Sequence, residues 1–168
     1  MKGDMPHPVY AINEFSCSIA CLESLCYDNS IKITQAEMIE KYKNVFPHWD
    51  INHWEYKPGL LDIQDTIKMA EILGLASEGK SEIIESPNEE ITKKKYWESD
   101  TVGILIAIKK FYDDFERTKL VTHSHWVRLD IVNSKFILMI APQSGVITLE
   151  YNWKEIESFE PTLVIIKK

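Results

Sequence analysis

Residues 16–28 read Ser16-Cys17-Ser18-Ile19-Ala20-Cys21-Leu22-Glu23-Ser24-Leu25-Cys26-Tyr27-Asp28. Ile19, Ala20, Leu22, Leu25 and Cys26 fall at helix-compatible spacing, so the pattern predicts a helix over 17–27. Ser16 is placed as its N-cap, and Asp28-Asn29-Ser30 stops it. Working outward, Thr34 and Glu37 have the spacing of a capping box and open a second helix through about Lys43. An irregular aromatic stretch over 46–56 closes on Pro58-Gly59. A third helix then begins near Asp62, with Ile63, Ile67, Ala70 and Leu73 on one face and Gly74 where a C-terminal glycine belongs.

The rest of the chain has strand character. The pattern predicts strands over 82–85, 103–108, 125–132, 136–140, 146–151 and 163–166, with a helical turn over 153–158. Asn133-Ser134 and Gln143-Ser144-Gly145 supply turns. Helices followed by an antiparallel sheet make an α+β fold, expected here as one domain over residues 1–168.

Charge and composition narrow the function classes. The net charge of −7 and pI near 5.3 argue against nucleic acid, whose nonspecific affinity needs clustered Lys and Arg. The basic run Lys93-Lys94-Lys95 is flanked by Glu89, Glu90 and Glu98 and reads as a solvated helix face or a loop. Apolar runs such as 136–142 are strand-length, far short of the ~20 residues of a membrane span. Residues 1–8 are polar and lack the apolar stretch of a secretory signal. Three cysteines within residues 17–26 are a poor disulfide framework and suit a reducing compartment. The expected location is the cytoplasm, or export as an effector without a Sec-type signal.

Cys17 follows the expected N-cap directly. Unpaired amides and the helix dipole at that position favour a thiolate, whereas Cys21 and Cys26, deeper in the helix, suit a core. A thiolate nucleophile needs a base that is distant in sequence and near in space. His125 opens the strand His125-Trp126-Val127-Arg128-Leu129 and is the candidate. His123 shares its strand face, His7 lies in a Pro-flanked segment, and His48 and His53 lie in the aromatic loop. Cys17, Cys21, His123 and His125 could also be weighed as metal ligands, but their spacing matches no zinc module, and no metal or cofactor is expected. Trp49 and Trp54 are candidates to line a groove.

Ser16-Cys17-Ser18-Ile19-Ala20-Cys21-Leu22 resembles the catalytic helix of bacterial papain-like peptidases that remove double-glycine leaders. Ile33-Thr34-Gln35-Ala36-Glu37 is similar to the start of their second helix. Residues 59–75, ending Leu73-Gly74-Leu75, are similar to their third helix, and His125-Trp126-Val127 to their His-aromatic-Val strand. Effector glutamine deamidases share this layout. The resemblance implies a papain-like fold, N-terminal helices packed on a C-terminal antiparallel sheet, with Cys17 as nucleophile and His125 as base. It implies an amide hydrolase acting on a peptide or protein, either a peptidase or a protein glutamine deamidase. Two positions depart from the family: Ala11 stands where the oxyanion glutamine is expected, and Ala141-Pro142 where the histidine-orienting Asp-Pro is expected. Asn13 is the candidate substitute for the first and Gln143 for the second; both also suit ordinary turn positions. Acyl transfer to an amine, and an inactive papain-like domain that binds a peptide or partner protein, are the alternatives.

Overall fold

The computed structural model describes residues 2–141 and 145–168. At its centre is α1 (Cys17–Asp28), whose Ile19, Ala20, Cys21, Leu22, Leu25 and Cys26 are fully buried. α2 (Gln35–Tyr42) is capped by Thr34, whose side chain accepts the Glu37 N–H at 3.2 Å. α3 (Ile63–Ile72) is capped by Asp62, which accepts the Asp65 N–H at 2.7 Å. Each cap satisfies a backbone donor that the first helical turn leaves unpaired. Between α2 and α3 the aromatic stretch folds around a short 3-10 turn, Pro47–Trp49.

Eight strands follow or interleave among the described residues: β1 (Glu82–Ile84), β2 (Thr101–Ile108), β3 (Phe111–Tyr112), β4 (Leu120–Val121), β5 (His125–Val132), β6 (Lys135–Met139), β7 (Thr148–Tyr151) and β8 (Thr162–Lys167). Six of them form one antiparallel sheet in the order β1-β8-β2-β5-β6-β7, and β3 and β4 pair separately as a hairpin. The fold is α+β, as the order of patterns predicts.

The sheet is buried on both faces, which explains why β2 and β8 read as unbroken apolar runs instead of alternating ones. Leu105, Trp126, Met139, Val164 and Ile166 point to one core with α1, α2 and α3. Ile104, Ile106, Val127, Leu129, Leu138, Leu163 and Ile165 point to a second. That second core is completed by Tyr96 from α4 (Glu89–Trp97) and by Trp153 and Ile156 from α5 (Trp153–Ser158). Here the sequence expectation needs correction: helices cover both faces. The 93–95 run lies on α4, with Glu89 and Glu90 in the first turn and Lys94 and Lys95 in the last, the arrangement that complements a helix dipole. Its mostly charged surface hid the apolar signal that would have revealed it.

α1 sits close against the sheet. A Cβ at Gly103 of β2 would lie 2.5 Å from Leu25 Cδ2, so any larger residue here would force the buried Leu25 side chain to shift. The same helix is tied to β5 by a buried polar cluster. Arg128 binds Asp130 at 2.8 Å, Asp28 at 2.6 Å and Ser24 Oγ at 2.8 Å. Tyr96 donates to Asp130 at 2.9 Å, and Ser24 donates to the His7 carbonyl at 2.5 Å. The N-terminal segment, α1, α4 and β5 thereby share one network. No helix among the described residues is long and apolar enough to cross a membrane.

Candidate functional site

A cleft of about 660 Å³ opens where the N-terminus of α1 meets the start of β5. Ala11, Asn13 and Cys17 line one side of it, and His125 and Ala141 reach it from β5 and the end of β6. Phe111, Asp113, Val121 and His123, on or beside the β3–β4 hairpin, line it as well. Cys17 is half-buried at the first residue of α1. Cys21 and Cys26, one and two turns further on, have no exposure.

The mouth of α1 is not capped in the way the sequence suggests. Ser16 turns its hydroxyl back to the Asn13 carbonyl at 3.2 Å and accepts the Asn13 N–H at 3.2 Å. Asn13 Oδ1 accepts the Phe15 N–H at 2.7 Å, an Asx turn that fixes the loop into the helix. No side chain therefore caps α1. Gly59, at φ +91, packs against this mouth so closely that a Cβ would lie 2.9 Å from Ser16 Cβ. Burial pushes the Cys17 thiol up, while the backbone N–H groups of Trp126, Ser18 and Cys17 itself pull it back. The depressed thiol expected from helix position is thus overturned: the amides are present, but desolvation outweighs them. Cys21 is pushed far higher by complete burial, and Cys26 up to about 12.

His125 is fixed on two sides. Its Nε2 lies 2.5 Å from the Ile140 carbonyl oxygen, so Nε2 carries the proton and donates, leaving Nδ1 as the acceptor nitrogen. Phe111 stacks on the ring with centroids 4.4 Å apart. Burial lowers the imidazole to about 4, with the Ile140 carbonyl pulling it back up and the His123 ring adding to the depression. Near neutral pH the ring is uncharged. Among the described residues no hydrogen bond joins the Cys17 sulfur to the His125 ring; the two side chains share the cleft.

The carbonyl that holds His125 is aimed by an uncommon backbone turn. The Ile140–Ala141 peptide plane is set by ψ of Ile140 and φ of Ala141, and Ala141 lies at φ +43. Residues with a Cβ seldom occupy that region. The Ile140 N–H bonds the Ile147 carbonyl at 2.8 Å, continuing the sheet beyond β6. At Ala141, where the resembled family carries Asp, a backbone carbonyl one residue earlier occupies the imidazole N–H.

The other sequence candidates fall as follows. Asn13 lines the cleft, with its side-chain oxygen engaged in the turn and no described group taking its Nδ2. Gln143 lies outside the described residues. Ala11 is buried, in a segment pinned by the buried Gln35, which donates to the Tyr10 carbonyl at 2.9 Å and accepts the Ile12 N–H at 3.2 Å. The described residues hold no cluster of three or more Cys, His, Asp or Glu side chains able to bind a metal ion. Trp49 is core, donating to the Leu60 carbonyl at 3.0 Å, and Trp54 is 87% exposed; neither lines the cleft. Sequence reading missed Phe111, Asp113 and the Ile140 carbonyl. The first two sit beside two-residue strands too short to show periodicity, and a main-chain acceptor leaves no residue-type signal.

No protein-family model matches the chain, and no curated protein matches it.

Proposed function

We propose that the protein is a papain-like, cysteine-dependent amide hydrolase, acting on a peptide bond or on a glutamine side chain. The observation that carries this reading is the tautomer of His125: Nε2–H is held by the Ile140 carbonyl, so Nδ1 is available as a base in the cleft that contains Cys17. Cys17 Sγ adds to the carbonyl carbon while its proton passes to His125 Nδ1. The imidazolium returns that proton to the leaving amine as the C–N bond breaks, giving a thioester. Water, deprotonated by the same nitrogen, cleaves the thioester and restores the thiol. The uncapped amides at the mouth of α1 are donors for the oxyanion, and Asn13, which lines the same cleft, is a further candidate donor. Because burial favours the neutral form of both partners, the resting state is thiol and imidazole, and the proton moves during attack.

The same neutral resting pair, without a direct hydrogen bond, supports a second reading: an inactive papain-like domain whose cleft binds a peptide. Iodoacetamide labelling followed by peptide mapping separates the two. The hydrolase reading expects Cys17 to be modified well before Cys21 and Cys26, and His125→Ala to slow it by about tenfold or more at pH 7. It also expects slow turnover on a peptide library, read by mass spectrometry as new termini or as Gln converted to Glu. A Cys17 rate indifferent to His125→Ala, with no turnover, selects the binding domain.

A further inference from the structure

Asp113 lines the cleft and carries a carboxylate oxygen without a donor. Its Oδ1 is closed off from solvent and has no hydrogen-bond partner among the described residues. It belongs to the hairpin residue that lines the same cleft as Cys17 and His125. A desolvated carboxylate oxygen without a donor is unfavourable, and a cationic donor relieves it best. Among the described residues no Lys or Arg lines this cleft, and the other carboxylate is Glu14. His123 and His125 are the basic side chains described there, and His125 is committed to the Ile140 carbonyl.

We infer that Asp113 receives a cationic side chain of the substrate, so that the protein selects peptides with Lys or Arg beside the amide that Cys17 attacks. This rests on the amide-hydrolase reading of the cleft. A peptide, not a small free cation, suits the surroundings. Phe15, Phe111 and Val121 line the same cleft as Asp113. They offer apolar surface near the carboxylate, which a peptide chain can use and a lone ammonium ion cannot. Asp113 is also held in place by backbone: its N–H bonds the Lys119 carbonyl at 3.4 Å across the hairpin.

The test uses dipeptidyl chloromethyl ketones, in which Cys17 displaces chloride and forms a thioether. Lys, norleucine or Glu is placed either at the residue bearing the reactive carbon or at the one before it. The second-order rate of Cys17 modification is the readout. At one of the two positions Lys should outpace norleucine by about tenfold, and Glu should be slowest. Asp113→Asn should bring the Lys-to-norleucine ratio to near one, and Asp113→Lys should turn the preference toward Glu. A merely structural Asp113 would lower all rates together and would not reverse their order. Equal Lys and norleucine rates at both positions, with iodoacetamide still singling out Cys17, overturn this inference and leave the hydrolase reading standing. If iodoacetamide does not single out Cys17, both fall together.

Discussion

The cleft is built from two walls of opposite construction. The α1–β5 wall is embedded in the core: His125 is 9% exposed, Trp126 8%, and α1 is locked to the sheet at Gly103 and through Arg128. The facing wall is a hairpin of two ladder pairs, Phe111 with Val121 and Tyr112 with Leu120. Its loop is organised mainly by its own groups, with Asp114 accepting the N–H of Thr118 at 3.1 Å and of Lys119 at 3.0 Å. The candidate nucleophile and base sit on the wall that cannot shift without unpacking the protein, whereas the hairpin joins the second core mainly through Phe111, and Asp113 lies just past that anchor, where the loop begins. Bond-making groups need fixed geometry, whereas selection is retuned most easily on a loop beyond such an anchor. Changes on the first wall should therefore register in stability, and changes on the second in substrate choice.

The largest effect should come from Arg128→Ala. It strips Asp130 and Asp28 of their buried cation and leaves Tyr96 as the remaining donor to Asp130. Removing one partner of a buried pair typically costs about 3–5 kcal/mol. Urea unfolding should show that loss, with α1 detaching from β5. A cost below about 1 kcal/mol would mean that the first wall is not anchored through this cluster.

Nearly as large is the pH effect of His125. Its folded value of about 4 lies below the ordinary 6.5, so between those limits the unfolded chain binds more protons. Stability is then complete above pH 6.5 and declines as pH falls toward 4, by about 3 kcal/mol in total. His125→Gln should flatten that part of the stability–pH curve, whatever it costs at pH 7. Unfolding midpoints at pH 7 and 4.5 for both proteins check this, and parallel curves would show that the ring is not held neutral.

Ala141→Asp tests whether the Ile140 carbonyl does for His125 what an orienting carboxylate would do. The side chain at 141 is fully buried, so an ionised carboxylate there is strongly disfavoured and the group should be protonated, at a cost of about 1–3 kcal/mol that is lessened because Asp tolerates a positive φ better than Ala. Because the His125 N–H already has an acceptor, the Cys17 alkylation rate should change little. A faster thiol with unchanged stability would show that the new carboxylate has replaced the Ile140 carbonyl as acceptor of the His125 N–H.

What the sequence reveals follows the same division. The three N-terminal helices, five of the six sheet strands at close to their observed limits, and the placement of Cys17 and His125 on one cleft all rest on patterns longer than five residues or on motifs spread through the chain. β7 is shorter than its apolar run, since Val146 and Ile147 lie outside the ladder. α4 escaped because only Thr92 and Tyr96 of its residues are buried. The hairpin wall escaped because strands of two residues carry no period, and its packing depends on Phe111 stacking with a histidine fourteen positions away. The base's support escaped because it is a main-chain atom. Ser16 misled, because its hydroxyl has two possible backbone partners and the Asn13 turn takes it before the helix does.

The smallest expected effect on stability is at the latch of the hairpin. Arg117, at φ +59 in the loop, donates to Glu155 Oε2 at 2.6 Å and to the Glu150 carbonyl, and its guanidinium lies 4.3 Å from the Tyr151 ring centroid. This contact runs from the second wall to β7 and α5 and bypasses α1 and β5. The ion pair is about one-third exposed on both sides, which limits it to less than about 1 kcal/mol, and the ring contact adds about as much again. Glu155 retains its capping-box bonds to Asn152 without Arg117, so α5 should survive. Arg117→Ala should therefore lower stability by about 1 kcal/mol while loosening the strand pair that carries Asp113. Amide exchange should quicken at residues 113 and 121 and stay unchanged along α1 and β5. The iodoacetamide rate at Cys17 should hold, because neither Cys17 nor His125 touches the latch, while the preference for Lys over norleucine probes should shrink. A loss of several kcal/mol would mean that the latch also supports the core anchor Phe111, and an undiminished Lys preference would mean that Asp113 is placed without the latch.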